Sequence, residues 1–490
     1  MNFRYKITSI LLITALFFQS CDIEDRLNTV PLTSFSDLTV FDTPARVQQQ
    51  INGLYASVKN GNLLGGRFFV YNDVRADYFI NETNNNVTGL SVWNHTVQPS
   101  NVNDVTNLWN TAYLAINRAN VFIAGIDANT QKLRDSGLTD AQLNEFKAEA
   151  RFLRALVYNS LLTLYASPFA DGAGAKPGVP LQLNANVASG DNDLPRSSVA
   201  QVYAQILEDL NFAEANLPAT RGNALNNSTR AIRSASIALK TRVFLHMQRY
   251  ADVVTEANKL VSANPPYVAA GGVAHTLAPT VGEVFRTPWT HVERIFSFPF
   301  TENDLPGTQN GLGSYYNPGP RGIGDFSLNN SGIIGDTVNW ITTDDRRAFI
   351  FRNTSNNKNY WNKFASGPQH LDYVPVLRYA EVLLNLAEAS ARTGNTDRAL
   401  SLLNTVRTRS KGGEYEPFGT QAELVEAILK EREIELLGEG FRAPDLMRLL
   451  RPLPGKSNVG PVPSSSSGYI WPIPAGELIV NKAVVQNPGY

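Results

Sequence analysis

Two stretches of the chain combine aromatic rings with fixed polar groups and lack any helical period. Residues 67–103 hold Trp93 beside Asn94, with Asp73, Arg75 and Asp77 interleaved among Phe68, Phe69, Tyr71, Tyr78 and Phe79. Residues 263–373 hold Tyr315, Tyr316 and Trp340, with Trp289, Phe326, Tyr360 and Trp361. A ring can cover the C–H face of a pyranose while carboxylate, guanidinium and amide groups bond its hydroxyls. One buried ring removes roughly 150–250 Å² from water. At roughly 25 cal/mol per Å² two rings supply several kcal/mol, and a micromolar complex needs about −8 kcal/mol. Trp93, Asn94, Asp73, Arg75, Asp77, Tyr315, Tyr316 and Trp340 are therefore the candidate ligand-binding residues. Each also suits a plainer role as a loop anchor or core residue.

Glu431 and Glu435 lie four apart on a helical stretch and so share one face. Carboxylates roughly 5–9.5 Å apart can carry glycoside hydrolysis. These two share their stripe with Leu424 and Ile428, which directs them into packing. An internal ion-pair network fits better, with Arg407, Arg409, Arg442 and Arg448 as partners. The chain has no His-Glu-x-x-His zinc motif, no Gly-x-Ser-x-Gly elbow and no phosphate loop. Its five histidines are scattered, so neither a metal centre nor a cofactor is expected. Asp191-Asn192-Asp193 could touch calcium but lacks an EF-hand frame, and a solvated turn is the simpler reading.

The remaining chain reads as helices that would position these loops. From Pro375 to Arg409, Val376, Ala380, Leu383, Leu384, Ala387 and Ala391 make one apolar face, and Gly394 ends it. Asn395 caps a second helix with Ala399, Leu402, Leu403 and Val406 inward. A similar unit runs from Ser234 to Ala257, with its turn near Gln248–Arg249. Both resemble tetratricopeptide (TPR) repeats, which must stack to bury their faces. Other apolar stripes predict helices from Pro44 to Val58, near 104–123, near 143–164, from Val199 to Leu217, and near Leu424–Leu436. Arg294 to Phe300 is the best strand candidate in the long insertion. The tail after Pro452 is Pro-, Gly- and Ser-rich. An insertion as long as 263–373 without regular structure implies a task.

Net charge is −1 over 490 residues, so no basic excess points to nucleic acid. The one cysteine, Cys21, excludes an intrachain disulfide. It follows Arg4, Lys6 and the apolar run Ile7–Phe18, which is too short for a permanent bilayer span. This resembles a bacterial lipoprotein signal, in which the cysteine becomes the acylated first residue. The expected layout is a signal peptide at 1–20, an acylated leash at 21–42 and one unit at 43–490. Within that unit, helical repeats fall at about 104–262 and 374–440. Loop-rich binding regions fall at about 61–103 and 263–373, and an irregular tail at 452–490.

Several blocks together resemble the SusD/RagB family of outer-membrane nutrient-binding lipoproteins. They are Lys147–Ala155, Pro195–Leu210, the Ser234 unit, Arg378–Ala389, Glu431–Arg442, and the closing Trp471–Glu477 with Gln486–Tyr490, in that order. The loop Asp171–Gly178 lengthens the usual link before Val179. The resemblance implies a mainly α fold, in which about four TPR-like helix pairs pack against a loop-rich, irregular ligand-binding half. It implies lipid attachment at the outer membrane, facing the cell exterior. It also implies a SusC-like TonB-dependent transporter barrel as partner, to which captured oligosaccharide, or sometimes peptide, is delivered. No catalysis is expected. The rival readings are a glycoside hydrolase and a TPR scaffold that binds only protein.

Overall fold

Thr43 opens the first helix as its type and position predict. Its hydroxyl accepts the Arg46 N–H, and Pro44 sits at the first helical position. The computed structural model describes residues 40–187 and 193–490. The expected signal peptide, Cys21, most of the leash and Asp191-Asn192 of the possible calcium turn lie outside the described residues.

The helices used below are α1 (Pro44–Val58), α2 (Arg67–Val74), α3 (Asn107–Ala128), α4 (Asp140–Tyr165), α5 (Val199–Asn216), α6 (Arg233–His246), α7 (Tyr250–Ala257), α8 (Tyr379–Arg392), α9 (Thr396–Arg409), α10 (Gln421–Glu435) and α11 (Ala475–Val480). Capping boxes start three of them: Thr139 with Gln142, Ser198 with Gln201, and Thr420 with Glu423. Gln248, at φ +56°, turns the chain between α6 and α7, and Gly394, at φ +91°, turns it between α8 and α9. Helix α4 packs on α3 and α5, α6 on α5 and α7, and α8 on α7, α9 and α10. The molecule is a mainly helical, TPR-like stack, and its sheets are four two-stranded antiparallel pairs among the described residues.

Those pairs join β1 (Phe79–Asn81) to β5 (Phe326–Leu328), β2 (Pro177–Pro180) to β3 (Arg196–Ser198), β4 (Arg294–Phe298) to β8 (Val374–Arg378), and β6 (Ile350–Asn353) to β7 (Lys358–Trp361). The β4–β8 pair brings the expected strand at 294 onto the entrance of the Pro375 hairpin. Val376 therefore belongs to a strand rather than to the helical stripe, and α8 begins at Tyr379. Pro375 disfavours helix for the residue before it, and all five residues of β8 are buried. A second correction concerns 67–103, expected as loops and short strands. Arg67–Val74 is a helix. All eight of its residues are buried, so no polar face gives its sequence a helical period. One connected apolar core runs from Phe41 to Val484 and takes in both the helical stack and the loop-bearing segments.

Candidate functional site

The eight residues singled out by type do not form an open surface. Trp93 is 5% exposed; its Nε1–H donates to the Phe79 carbonyl at 2.8 Å, and the Lys456 ammonium stands 5.5 Å over its ring. Tyr316 is fully buried, stacks on Phe79 at 4.7 Å and donates its hydroxyl to Asp73 at 3.1 Å. Tyr315 is buried and bonds the Gln309 carbonyl. Arg75 is buried and bonds the Tyr469 carbonyl and Met447 Sδ. Trp340 is buried apart from these, under the Arg347 guanidinium and edge-on to Trp361. Only Asn94 and Asp77 are half-exposed, and Asp77 is paired with Arg442 at 3.2 Å. The structure thus brings Asp73, Tyr316 and Trp93 together around Phe79, as internal fasteners of the loop half. As platforms for a sugar the four buried rings, Trp93, Tyr315, Tyr316 and Trp340, lack a free face, and this corrects the expectation drawn from residue type. Segments with few ladder hydrogen bonds are held by such side-chain bonds instead.

Asp73 carries a consequence of this burial. Its Oδ2 accepts from the Gly440 N–H at 3.0 Å and from Tyr316, while Oδ1 has no partner among the described residues. Burial pushes its carboxyl up to about 8, against the pull of those two donors and of Lys363. A carboxyl raised in the folded state holds its proton more tightly there than in the unfolded chain. Stability from this group therefore falls as pH climbs from about 4 to 8, then levels off. Asp73→Asn is expected to remove that slope. Urea midpoints at pH 5 and pH 8.5 should show the variant gaining on the wild type at the higher pH by more than about 1 kcal/mol. The donor to Asp73 is equally constrained: Gly440 holds φ +79°, and a Cβ there would lie 2.8 Å from the Phe69 Cα. Gly440→Ala should lower stability by at least about 2 kcal/mol in the same assay.

Glu431 and Glu435 are fully buried in an ion-pair network, as their stripe predicts. Arg407 reaches Glu431 at 3.0 Å, and Arg409 reaches Glu435 at 2.7 Å and Glu293 at 3.0 Å. Arg346 binds Glu431, Glu435 and Asp344, while Arg378 binds Glu435, Glu439 and Glu293. Lys363 binds Glu439 at 2.6 Å. Arg442 and Arg448, the other two expected partners, pair elsewhere, with Glu433 and Asp77 and with Glu388 and Asp445. Burial alone would raise the Glu435 carboxyl, but Arg409, Arg378 and Arg346 outweigh it and hold it well below the usual range. Glu435 is thus fixed as an anion, with three guanidinium groups on it and no exposed surface.

A partly exposed aromatic pair lies elsewhere in the insertion. Trp289 and Tyr373, both half-buried, stack with ring centroids 5.2 Å apart and planes 27° from parallel. Their loops are held from behind. The Tyr373 carbonyl accepts from buried Arg294 at 3.0 Å, one residue before β8. Asp372 is buried and gathers the Ala365 N–H, the Ser366 N–H and the Ser366 hydroxyl, closing the loop that carries His370. Burial pushes the His370 imidazole below its ordinary value, with Asp372 pulling the other way. Trp289 holds φ +55° and His370 φ +54°, left-handed conformations that cost bulky residues about 1–2 kcal/mol. Such strain concentrates at ligand-contact sites. Exposed Gln369 and half-buried Ser366, Thr290 and His291 supply hydrogen-bonding groups on the same loops. Sequence reasoning placed Trp289 in the insertion without selecting it. One signal was available: of six tryptophans, it alone has no Val, Leu, Ile or Tyr on either side.

Comparison with known proteins bears on both halves of the chain. A sequence model of the SusD family matches residues 337–456, and one described as starch-binding associating with outer membrane matches 28–245. A SusD superfamily protein from Bacteroides fragilis is 31% identical and superposes with a TM-score of 0.80, over 91% of this chain and 99% of its own. SusD-like protein P2 of Formosa agariphila is 25% identical over 99% of this chain and 100% of its own. A laminarin-binding SusD-like protein, 21% identical, shares the fold with a TM-score of 0.72 over 92% of this chain and 100% of its own.

Proposed function

The chain belongs to the SusD family, and from that premise we propose that it is a non-catalytic, surface-exposed glycan-capture subunit that passes oligosaccharide to a TonB-dependent outer-membrane transporter. The observation that carries the glycan reading is the Trp289–Tyr373 stack, a preorganised aromatic face with polar groups beside it. A pyranose laid on a held ring gains apolar burial without the cost of ordering the ring. The family match described as starch-binding associating with outer membrane supports both the ligand class and the location. The laminarin-binding relative supports a β-glucan as one candidate ligand. No described helix is long and apolar enough to cross a membrane. The reading places attachment on a lipid at Cys21, on the strength of the signal-like residues before it. Multiple acyl chains there would anchor the protein stably, where one would not. A hydrolase built on Glu431 and Glu435 has little support, because guanidinium groups occupy both carboxylates and no exposed surface reaches them.

The test is calorimetric titration of the chain starting after Cys21 with starch-derived and laminarin-derived oligosaccharides, followed by product analysis of each sugar. Binding with the sugar recovered intact is the expected outcome. Cleavage would move the protein to the hydrolases. Silence across a broad glycan panel would sink the carbohydrate reading in favour of peptide or another nutrient.

A further inference from the structure

The fold holds His370 firmly and leaves its ring unbonded. The side chain packs against the backbone of Gly311 and Gly313. A Cβ on Gly311 would lie 2.6 Å from the His370 Cβ, and one on Gly313 would lie 3.1 Å from its Nδ1. Neither glycine holds a positive φ, so the close approach of His370 is what requires them. The short helix beside this slot, Leu312–Tyr316, is itself fixed: Tyr315 bonds the Gln309 carbonyl and Tyr316 bonds Asp73. From the other side Asp372 closes the loop that starts at Ala365, and His370 takes its left-handed φ within that loop.

A histidine that serves only as a fastener spends its nitrogens. His275 is buried, with Nε2 bonded to the Ser234 hydroxyl and Nδ1 to the Val292 carbonyl. Neither ring nitrogen of His370 has a partner among the described residues, and the residue is half-buried. Burial holds its imidazole below the ordinary value, so at neutral pH it is uncharged and offers one donor and one acceptor. His370 stands three residues before Tyr373, which puts the two backbones at most about 10 Å apart. A short oligosaccharide lying on the Trp289–Tyr373 face spans that distance.

We propose that His370 selects which sugar binds, by a hydrogen bond from one ring nitrogen to a single hydroxyl of the glycan on the Trp289–Tyr373 face. This rests on the glycan reading above and adds its specificity. A stacked ring accepts any pyranose with an open C–H face and so discriminates little. A polar group that is fixed in place and paired only by the right hydroxyl rejects a sugar that lacks it.

Calorimetry of the mature protein tests this with the tightest-binding oligosaccharide and with analogues in which one hydroxyl at a time is replaced by hydrogen. One deoxy analogue should bind the wild type about three- to tenfold more weakly, the worth of one hydrogen bond. His370→Phe fills the slot without a nitrogen. It should bind the parent sugar more weakly by the same factor and should no longer distinguish that analogue from the parent. If His370→Phe misfolds, the wild type alone decides: nitrogen NMR of the His370 imidazole should shift with the parent sugar and not with the sensitive analogue. Wild-type affinity in a folded His370→Phe, an undiminished deoxy penalty in it, or an imidazole signal indifferent to the parent sugar would overturn the proposal and leave the glycan reading standing. Absence of binding by every sugar would overturn both.

Discussion

Glu435→Gln is expected to lower the unfolding free energy by about 3–5 kcal/mol, the usual cost of removing one member of a buried pair. Glu435 accepts from Arg409 at 2.7 Å, Arg378 at 3.0 Å and Arg346 at 3.1 Å. The amide keeps the shape and removes the charge, leaving three guanidinium groups in the interior one anion short. Domains hold only about 5–15 kcal/mol in total, so the variant should approach the folding threshold. Urea denaturation reads the effect as a lower midpoint with an unchanged slope. Glu426→Gln is the control, because its pair with Arg451 is exposed and should shift stability by less than about 1 kcal/mol. The acid limb gives a second reading. Glu435 is held below its ordinary value, so its contribution is complete above about pH 4.5 and drains away as pH falls below that. The wild type should lose this increment in acid and the variant should not.

Trp289→Ala should cost roughly 30- to 150-fold in glycan affinity. One ring face covers on the order of 100 Å² of a sugar, and at roughly 25 cal/mol per Å² that is about 2–3 kcal/mol. Calorimetry with the tightest-binding oligosaccharide measures it. Tyr373→Phe keeps the stack, and with it most of the affinity. Trp93→Ala should behave in the opposite way, losing about 3–5 kcal/mol of stability because its ring is packed inside. Equal affinity in Trp289→Ala would move the glycan surface off this face while leaving the carbohydrate reading intact.

These contrasts follow how much of the molecule its sequence discloses. Local signals were legible. Thr43 with Pro44, Gly394 and Asn395 mark helix ends, and amphipathic stripes such as that of Val199–Asn216 lie where their period puts them. Helix α2 was hidden because a helix buried on every side has no stripe, and β8 because its five inward residues continue the apolar run of α8. The site was less legible than the fold. Residue type shows that Trp93 and Tyr316 are rings, but not what covers them. Trp93 lies under Lys456, and Tyr316 is bonded to Asp73, 243 positions away. The ion-pair network was half legible for the same reason. Glu431 and Glu435 announce a shared face, while Arg346, Arg378 and Lys363 arrive from other segments.

That network has an exact internal charge balance. Arg346, Arg378, Arg407, Arg409 and Lys363 face Asp344, Glu293, Glu431, Glu435 and Glu439, and every one of these side chains is at most 5% exposed. Dissolved ions weaken attractions between charges that water can reach, over a screening length of about 8–10 Å at ordinary ionic strength. They cannot enter a dry cluster whose net charge is zero. The joint between the insertion and α8, α9 and α10 is therefore insulated from the salinity of the surrounding medium, whereas exposed pairs such as Arg451–Glu426 loosen in brine. A protein built this way keeps its loop half and its helical half in fixed register from fresh water to seawater.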